Sequence, residues 1–261
     1  MIHVAAAGDL HVGPEGTGTY RERLSGLADQ ADVFLVAGDL TRHGTVEEGR
    51  VAAGELRDLG LPVIAVLGNH DYHSDAEEQI TGVLRDAGVT VLEGDGTVVD
   101  CGGTRLGVAG GKGFGGGFQG KCAGDFGEPE MKEFVRHTKD FAGRLGAALL
   151  QLDADVRVSL THYSPVEDTL EGEPPEIYPF LGSYLIGEAI DAADVALAIH
   201  GHAHKGSEKG LTQGGVRVRN VALPVIQHAY ALYCLDAGDA GKTTRADVTE
   251  RGRVGVPASA W

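Results

Sequence analysis

Positive charge and cysteine are scarce in this chain. Its 261 residues carry 22 Lys and Arg against 38 Asp and Glu, a formal net charge of −16. Nonspecific binding to nucleic-acid phosphates rests on clustered Lys and Arg, so this balance argues against a nucleic-acid partner. The same acidic field repels a phosphate-bearing small molecule at long range, and an anion site therefore needs a local source of positive charge. The three cysteines, Cys101, Cys122 and Cys234, are odd in number and far apart. They supply neither a C-x-x-C metal pair nor a disulfide framework. No apolar run reaches the ~20 residues of a membrane helix, so membrane insertion is not expected. The opening segment MIHVAAAGDL has no basic region ahead of a long apolar stretch. It reads as a first strand, and a cytoplasmic protein is the expectation.

The remaining composition suits a folded core, with 42% hydrophobic residues and no repeat or linker that divides the chain. Residues 1–261 are expected to form one domain. Apolar, β-branched runs predict strands over 2–7, 33–37, 63–67, 105–109, 156–160 and 195–199. Helices are predicted over 20–30, 45–59, 75–87 and 129–152, and further strands over 216–222, 230–235 and 246–249. Alternation of the two kinds of element argues for an α/β sandwich with mixed sheets. Two regions break the pattern. Residues 110–128 are too glycine-rich for a regular element and read as a long mobile loop, and proline-rich 163–184 reads as an irregular excursion. Long loops in compact domains often serve as lids or binding loops.

Five apolar runs lead into polar residues: VAAAGDLH, VFLVAGD, VIAVLGNHD, VRVSLTH and VALAIHGHAH. Open α/β sheets bind ligands outside the carboxyl ends of their strands. Asp9 and His11 are spaced i, i+2, which on extended backbone places both on one side, and His202 and His204 repeat that spacing. Asp39, Asn69 and His162 add one donor each. The set is oxygen and imidazole with no thiolate, which suits Mn, Fe or Zn in a hydrolytic site.

In this order, Asp9-x-His11, Gly38-Asp39, Gly68-Asn69-His70-Asp71, His162 and Gly201-His202-x-His204 resemble the blocks of the calcineurin-like metallophosphoesterase superfamily. The blocks run from residue 9 to residue 204, and their number and order make the resemblance specific. It implies a four-layer α/β/β/α sandwich, with two mixed sheets flanked by helices and a dimetal site at the strand ends. It further implies one divalent ion on Asp9, His11, Asp39 and His204, and a second on Asp39, Asn69, His162 and His202. Asp39 then bridges the two. The implied reaction is phosphoester hydrolysis, with a hydroxide between the metals attacking phosphorus in line. His70 is implied to protonate the leaving group, and Asp71 is expected to orient its imidazole.

The chain is similar to the bacterial cyclic-nucleotide phosphodiesterases of that superfamily. A phosphodiesterase is therefore the leading expectation, and a monoesterase or nucleotidase with the same metals is the alternative. The substrate is expected to be a small phosphoester such as a nucleotide. A non-catalytic scaffold of the same fold is the alternative of a different class, although such members typically lose ligands that this chain keeps. Arg42 or His43, directly after the Asp39 block, is expected either to contact a substrate phosphate or to form a solvated turn. His3 and His200, each within or at the end of a strand, are expected to be core residues or to stand behind the ligands. His228 is expected to approach the site from the last strands.

Overall fold

Ile2, Val4 and Ala6 point one way from the first strand, Ala5 and Ala7 point the other, and all five are buried. A strand apolar on both faces belongs inside a parallel sheet covered on two sides. The computed structural model describes residues 1–236. Strands β1 (Ile2–Ala7), β2 (Val33–Ala37), β3 (Val63–Val66) and β4 (Val89–Leu92) run parallel to one another. Strands β5 (Asp95–Cys101) and β6 (Thr104–Gly111) form an antiparallel pair, followed by the short hairpin β7 (Gly117–Phe118) and β8 (Lys121–Cys122). Strands β9 (Val156–Thr161), β10 (Leu197–His200), β11 (Lys209–Leu211), β12 (Arg217–Asn220) and β13 (Ala231–Leu235) complete the set. One sheet has the order β13-β1-β2-β3-β4 and the other β11-β12-β10-β9-β6-β5. Each is parallel inside, with an antiparallel strand at one edge of the first and at both edges of the second.

Between the sheets, Ile2, Val4, Leu35, Ile64 and Val66 meet Leu106, Val108, Val158, Leu160 and Ile199. Helices α1 (Thr19–Arg23), α2 (Val46–Leu56) and α3 (Glu77–Asp86) lie on the first sheet's outer side, where Leu56, Ile80 and Leu84 pack on Phe34, Val36 and Ala65. Helix α4 (Pro129–Gln151) and, after the single turn α5 (Tyr178–Leu181), helix α6 (Tyr184–Asp191) cover the second sheet through Phe141, Leu145, Leu149, Ile186 and Ile190. Each such side chain contributes about 1.5–3 kcal/mol by leaving water. The turn α7 (Leu223–Ile226) precedes β13. The result is helices, sheet, sheet, helices, with two mixed sheets as expected.

Several expected elements differ in detail. The helix expected over 20–30 ends at Arg23 because Gly26 turns left-handed (φ 74°), and only a 3-10 turn follows. Thr45 is a cap and not a helical residue. Its hydroxyl accepts the Glu48 N–H while the Glu48 carboxylate accepts the Thr45 N–H. The edge strands β5 and β11 and the strand β4 were not anticipated. Residues 110–128 are not a continuous loop, since β6 extends through Gly111 and β7 and β8 occupy 117–122. The strand expected over 246–249 lies outside the described residues.

Candidate metal centre

The parallel strands stop where the metal-ligand types begin. Asp9 and His11 follow β1, Asp39 follows β2, Asn69 and His70 follow β3, His162 follows β9, and His202 and His204 follow β10. Pairing continues past the ends of β1 and β2. The N–H groups of Asp9, His11 and Val12 donate to the carbonyls of Gly38, Asp39 and Leu40, each at 2.9 Å. Two of the polar tails are thus zipped to each other before any metal is considered.

Their backbone is not the extended form that the i, i+2 spacing suggested. Asp9 (φ 60°), His11 (φ 44°), Asp39 (φ 50°) and His202 (φ 72°) are all left-handed, half of the eight non-glycine residues of that kind among the described residues. That conformation costs roughly 1–2 kcal/mol per residue, and such strain collects at functional sites. The neighbouring glycines have a different reason. A Cβ on Gly68 would fall on the Asp39 carboxylate and backbone, and one on Gly201 would fall on the Asp9 carboxylate. Only a residue without a side chain lets these loops close on one another.

Two groups of ligand atoms result, each with its atoms within 4.8 Å of one another: Asp9, His11, Asp39 and His204, and Asp39, His162 and His202. Asp39 belongs to both. Asn69 joins the second, its Oδ1 lying 2.8 Å from His162 Nε2, which is also 3.4 Å from Asp39 Oδ1. The His162 Nδ1–H donates to the Ala37 carbonyl at 2.9 Å, which leaves Nε2 with its lone pair turned inward. The His202 Nε2–H donates to the Phe180 carbonyl at 3.2 Å, which leaves the lone pair on Nδ1.

Electrostatics agree with this geometry. Burial lowers the pKa of His11 and His202 to about 4 and that of His162 well below its ordinary value, so all three imidazoles are neutral at pH 7. Burial, then the charges of Asp9 and Asp71, push the Asp39 carboxyl well above the usual carboxylate range. Burial also acts to raise Asp9, but its hydrogen bond with His204 is the largest effect opposing burial, and the Asp9 carboxyl lies below the usual carboxylate range. Buried lone pairs and carboxylates that converge on common points are the arrangement a divalent cation satisfies.

The residues beside the candidate ligand atoms sit differently from what the sequence suggests. Asp71 does not hold the His70 ring. Its buried carboxylate accepts from Leu40 N (3.2 Å), Thr41 N (2.8 Å), Thr41 Oγ1 (2.6 Å) and Gly68 N (2.8 Å), fastening the second polar tail to the third. The His70 Nδ1–H donates instead to the Arg42 carbonyl at 2.7 Å. His43 is not brought to the ligands, because its ring Nδ1 and backbone N–H are both held by Glu48 at the start of α2. His3 is exposed and lies beside Asp32, whereas His200 is fully buried as expected.

A cavity of about 510 Å³ opens over Asp39, Asn69, His70, His202 and His204 and is completed by Glu173, Ile177, Lys205 and Pro224. A separate cavity of about 210 Å³ has His11 in its wall, with Tyr20, Arg23, Arg42, Leu223 and His228. Both irregular regions reach the centre. Glu173 and Ile177 from 163–184 line the larger cavity, and the Lys112 carbonyl accepts the N–H groups of His162 and Tyr163. Nothing in the sequence marked the Lys112, Phe180 or Ala37 carbonyls, because any residue type supplies a carbonyl.

The family model described as calcineurin-like phosphoesterase matches residues 2–206. The chain belongs to the calcineurin-like phosphoesterase family. Calcineurin-like phosphoesterases depend on two divalent metal ions, and the two ligand groups sharing Asp39 fit that pair. The identity of the metals stays open. No curated protein sequence matches the chain. Among solved structures, it is similar to phosphopantetheinyl hydrolase from Mycobacterium tuberculosis, with TM-score 0.61 and 17% identity over 85% of this chain and 89% of that one. A protein from Thermus thermophilus gives TM-score 0.54 and 17% identity over 95% and 98% of the two chains. A Staphylococcus aureus protein described as a putative 5'-nucleotidase gives TM-score 0.52 and 14% identity, over 95% of this chain but 52% of that one. At these identities the likeness is one of fold. No helix of the described residues is long and apolar enough to cross a membrane.

Proposed function

We propose that this calcineurin-like phosphoesterase is a metal-dependent phosphodiesterase acting on small substrates. In this reading Asp9, His11, Asp39 and His204 hold one ion, and Asp39, Asn69, His162 and His202 the other. When bound, the two ions supply a nucleophile at neutral pH and neutralise charge developing at phosphorus. His70 stands at the edge of the ligand groups with its ring fixed by the Arg42 carbonyl, and in its doubly protonated form its Nε2–H delivers the proton that the departing alcohol needs, leaving the neutral ring with its Nδ1–H on that carbonyl.

The preference for a diester rests on one observation, two separate cavities that are each walled by residues of one ligand group. His204 and Asp39 line the larger and His11 the smaller, and all three belong to the same group. A diester has two organic arms on one phosphorus and fills both spaces, whereas a monoester leaves one empty. The fold shared with a phosphopantetheinyl hydrolase is compatible with this reading, and the fold shared with a described 5'-nucleotidase is compatible with the monoester alternative.

The test compares bis(4-nitrophenyl) phosphate with 4-nitrophenyl phosphate in the presence of Mn²⁺, Zn²⁺ or Fe²⁺. The expected result is a kcat/KM at least roughly tenfold higher for the diester, about 1.4 kcal/mol of transition-state preference. Preference for the monoester would replace this reading with the phosphomonoesterase one. No turnover with any metal would remove the enzyme reading altogether.

A further inference from the structure

The larger cavity contains most of the ligand groups, but the smaller one has a charge that the chain as a whole does not. Arg23 and Arg42 line it, and among the described residues Glu15 is the only carboxylate in its wall. In a protein of net charge −16, a concave cationic surface beside a metal centre is a local reversal of the field that any anion meets on approach.

Its cations are positioned and not fully used. Arg42 Nη2 pairs with Glu15 Oε1 at 2.6 Å, but Arg42 Nε is buried with no hydrogen-bond partner among the described residues. A guanidinium with a spare buried N–H is a ready partner for an oxyanion. Both guanidinium charges act on the Tyr20 hydroxyl, which lines the same cavity. Burial raises that hydroxyl to a pKa of about 12, against the opposing pull of Arg23 and Arg42, while it donates to the Leu10 carbonyl at 2.7 Å. The floor is also rigid. Buried Glu55 accepts the N–H groups of Gly18, Tyr20 and Arg21, and so anchors the helix that carries Arg23. The competing Glu15 side chain is 65% exposed, and solvent screens an exposed pair of this kind until little attraction remains. An incoming anion exchanges for it at little cost.

We propose that the cavity beside His11 is a receptor for an anionic group, a carboxylate or a phosphate, carried on one arm of the substrate, with Arg42 and Arg23 as its specificity-determining residues. The inference rests on the diester reading for the position of the scissile phosphorus. The volume, about 210 Å³, suits one such group and not a whole ligand.

Two experiments test it. The first uses the metal-loaded full chain and 4-nitrophenyl diesters whose second arm ends in a carboxylate, a phosphate or an uncharged amide of equal length. The expected result is that kcat/KM favours one or both charged arms by roughly tenfold or more, as a charge-assisted hydrogen bond allows. That ratio is expected to fall towards one in Arg42→Gln and Arg23→Gln and to rise in Glu15→Gln, and the more favoured of the two charged arms identifies the anion. The second measures binding of inorganic phosphate to the full chain with no metal added, by calorimetry. Weakening in the arginine variants and tightening in Glu15→Gln support the receptor even if no diester is turned over, which separates its fate from that of the diester reading. Equal kcat/KM for charged and uncharged arms in the wild type, or phosphate binding that none of the three variants changes, would overturn it.

Discussion

His70 is tied to Asp39 on two sides: its backbone N–H donates to Asp39 Oδ1 at 2.8 Å, and its ring Nε2 lies 4.0 Å from Asp39 Oδ2. The Arg42 carbonyl holds the opposite ring nitrogen. The imidazole is therefore fixed beside the residue common to both ligand groups without itself belonging to either. This predicts that His70→Ala keeps metal content and loses roughly 10²–10⁴-fold in kcat. The loss is expected to be larger for diesters with alkyl leaving groups than for 4-nitrophenyl ones, since nitrophenolate departs without a proton. Steady-state kinetics with both leaving groups, alongside metal analysis, checks it.

Asp71 is expected to behave as a structural residue. Its carboxylate accepts four hydrogen bonds from two loops and is fully buried. Asp71→Ala strands those donors, at about 1–3 kcal/mol for each unsatisfied group. The predicted outcome is a fall in Tm with the pH–rate profile of the residual activity unchanged in shape. A shifted profile at unchanged Tm would return the orienting role to Asp71.

Gly68→Ala is expected to act on metal affinity. The new Cβ meets the Asp39 backbone as well as its carboxylate, so no side-chain rotation relieves the clash. Metal titration by calorimetry is expected to show weaker binding, with activity restored in part by excess metal.

How far the sequence revealed this centre follows from the same contacts. The strand runs and the residues at their ends were legible because parallel buried strands carry apolar residues on both faces and stop abruptly at polar ones, as at Ala7-Gly8-Asp9 and Ala37-Gly38-Asp39. The edge strand β5 was hidden because its DGTVVDC is largely exposed and carries no core pattern. The helix expected over 20–30 failed at Gly26, where local backbone freedom overrode composition. Asp71 could not be placed from sequence because its partners, Leu40 and Thr41, are 31 and 30 residues away. The i, i+2 spacing put Asp9 and His11 in one place, but whether the backbone there was extended or left-handed was invisible.

His200 sets a pH dependence of stability. Burial lowers its pKa to about 4, and its ring is neutral, with Nδ1–H donating to the Gly201 carbonyl (2.7 Å) and Nε2 accepting from Thr169 Oγ1 (2.8 Å). The unfolded chain binds a proton near pH 6.5 and the folded chain only near pH 4. Stability from this group is therefore complete above pH 6.5 and is lost as pH falls towards 4, at up to about 1.4 kcal/mol per pH unit. The difference in denaturant midpoint between wild type and His200→Gln is expected to narrow over that interval, and a difference independent of pH would refute the assignment.

Metal content gives the most direct measurement of whether seven side chains form one two-metal centre joined at Asp39. The full chain and Asp39→Ala are loaded with Mn²⁺ or Zn²⁺, dialysed and analysed by mass spectrometry of the metals. Since Asp39 lies in both ligand groups, two ions per wild-type chain are predicted, with both lost or sharply weakened in Asp39→Ala. A wild-type chain that holds no more than one ion, or an Asp39→Ala chain that still holds two, would contradict the account.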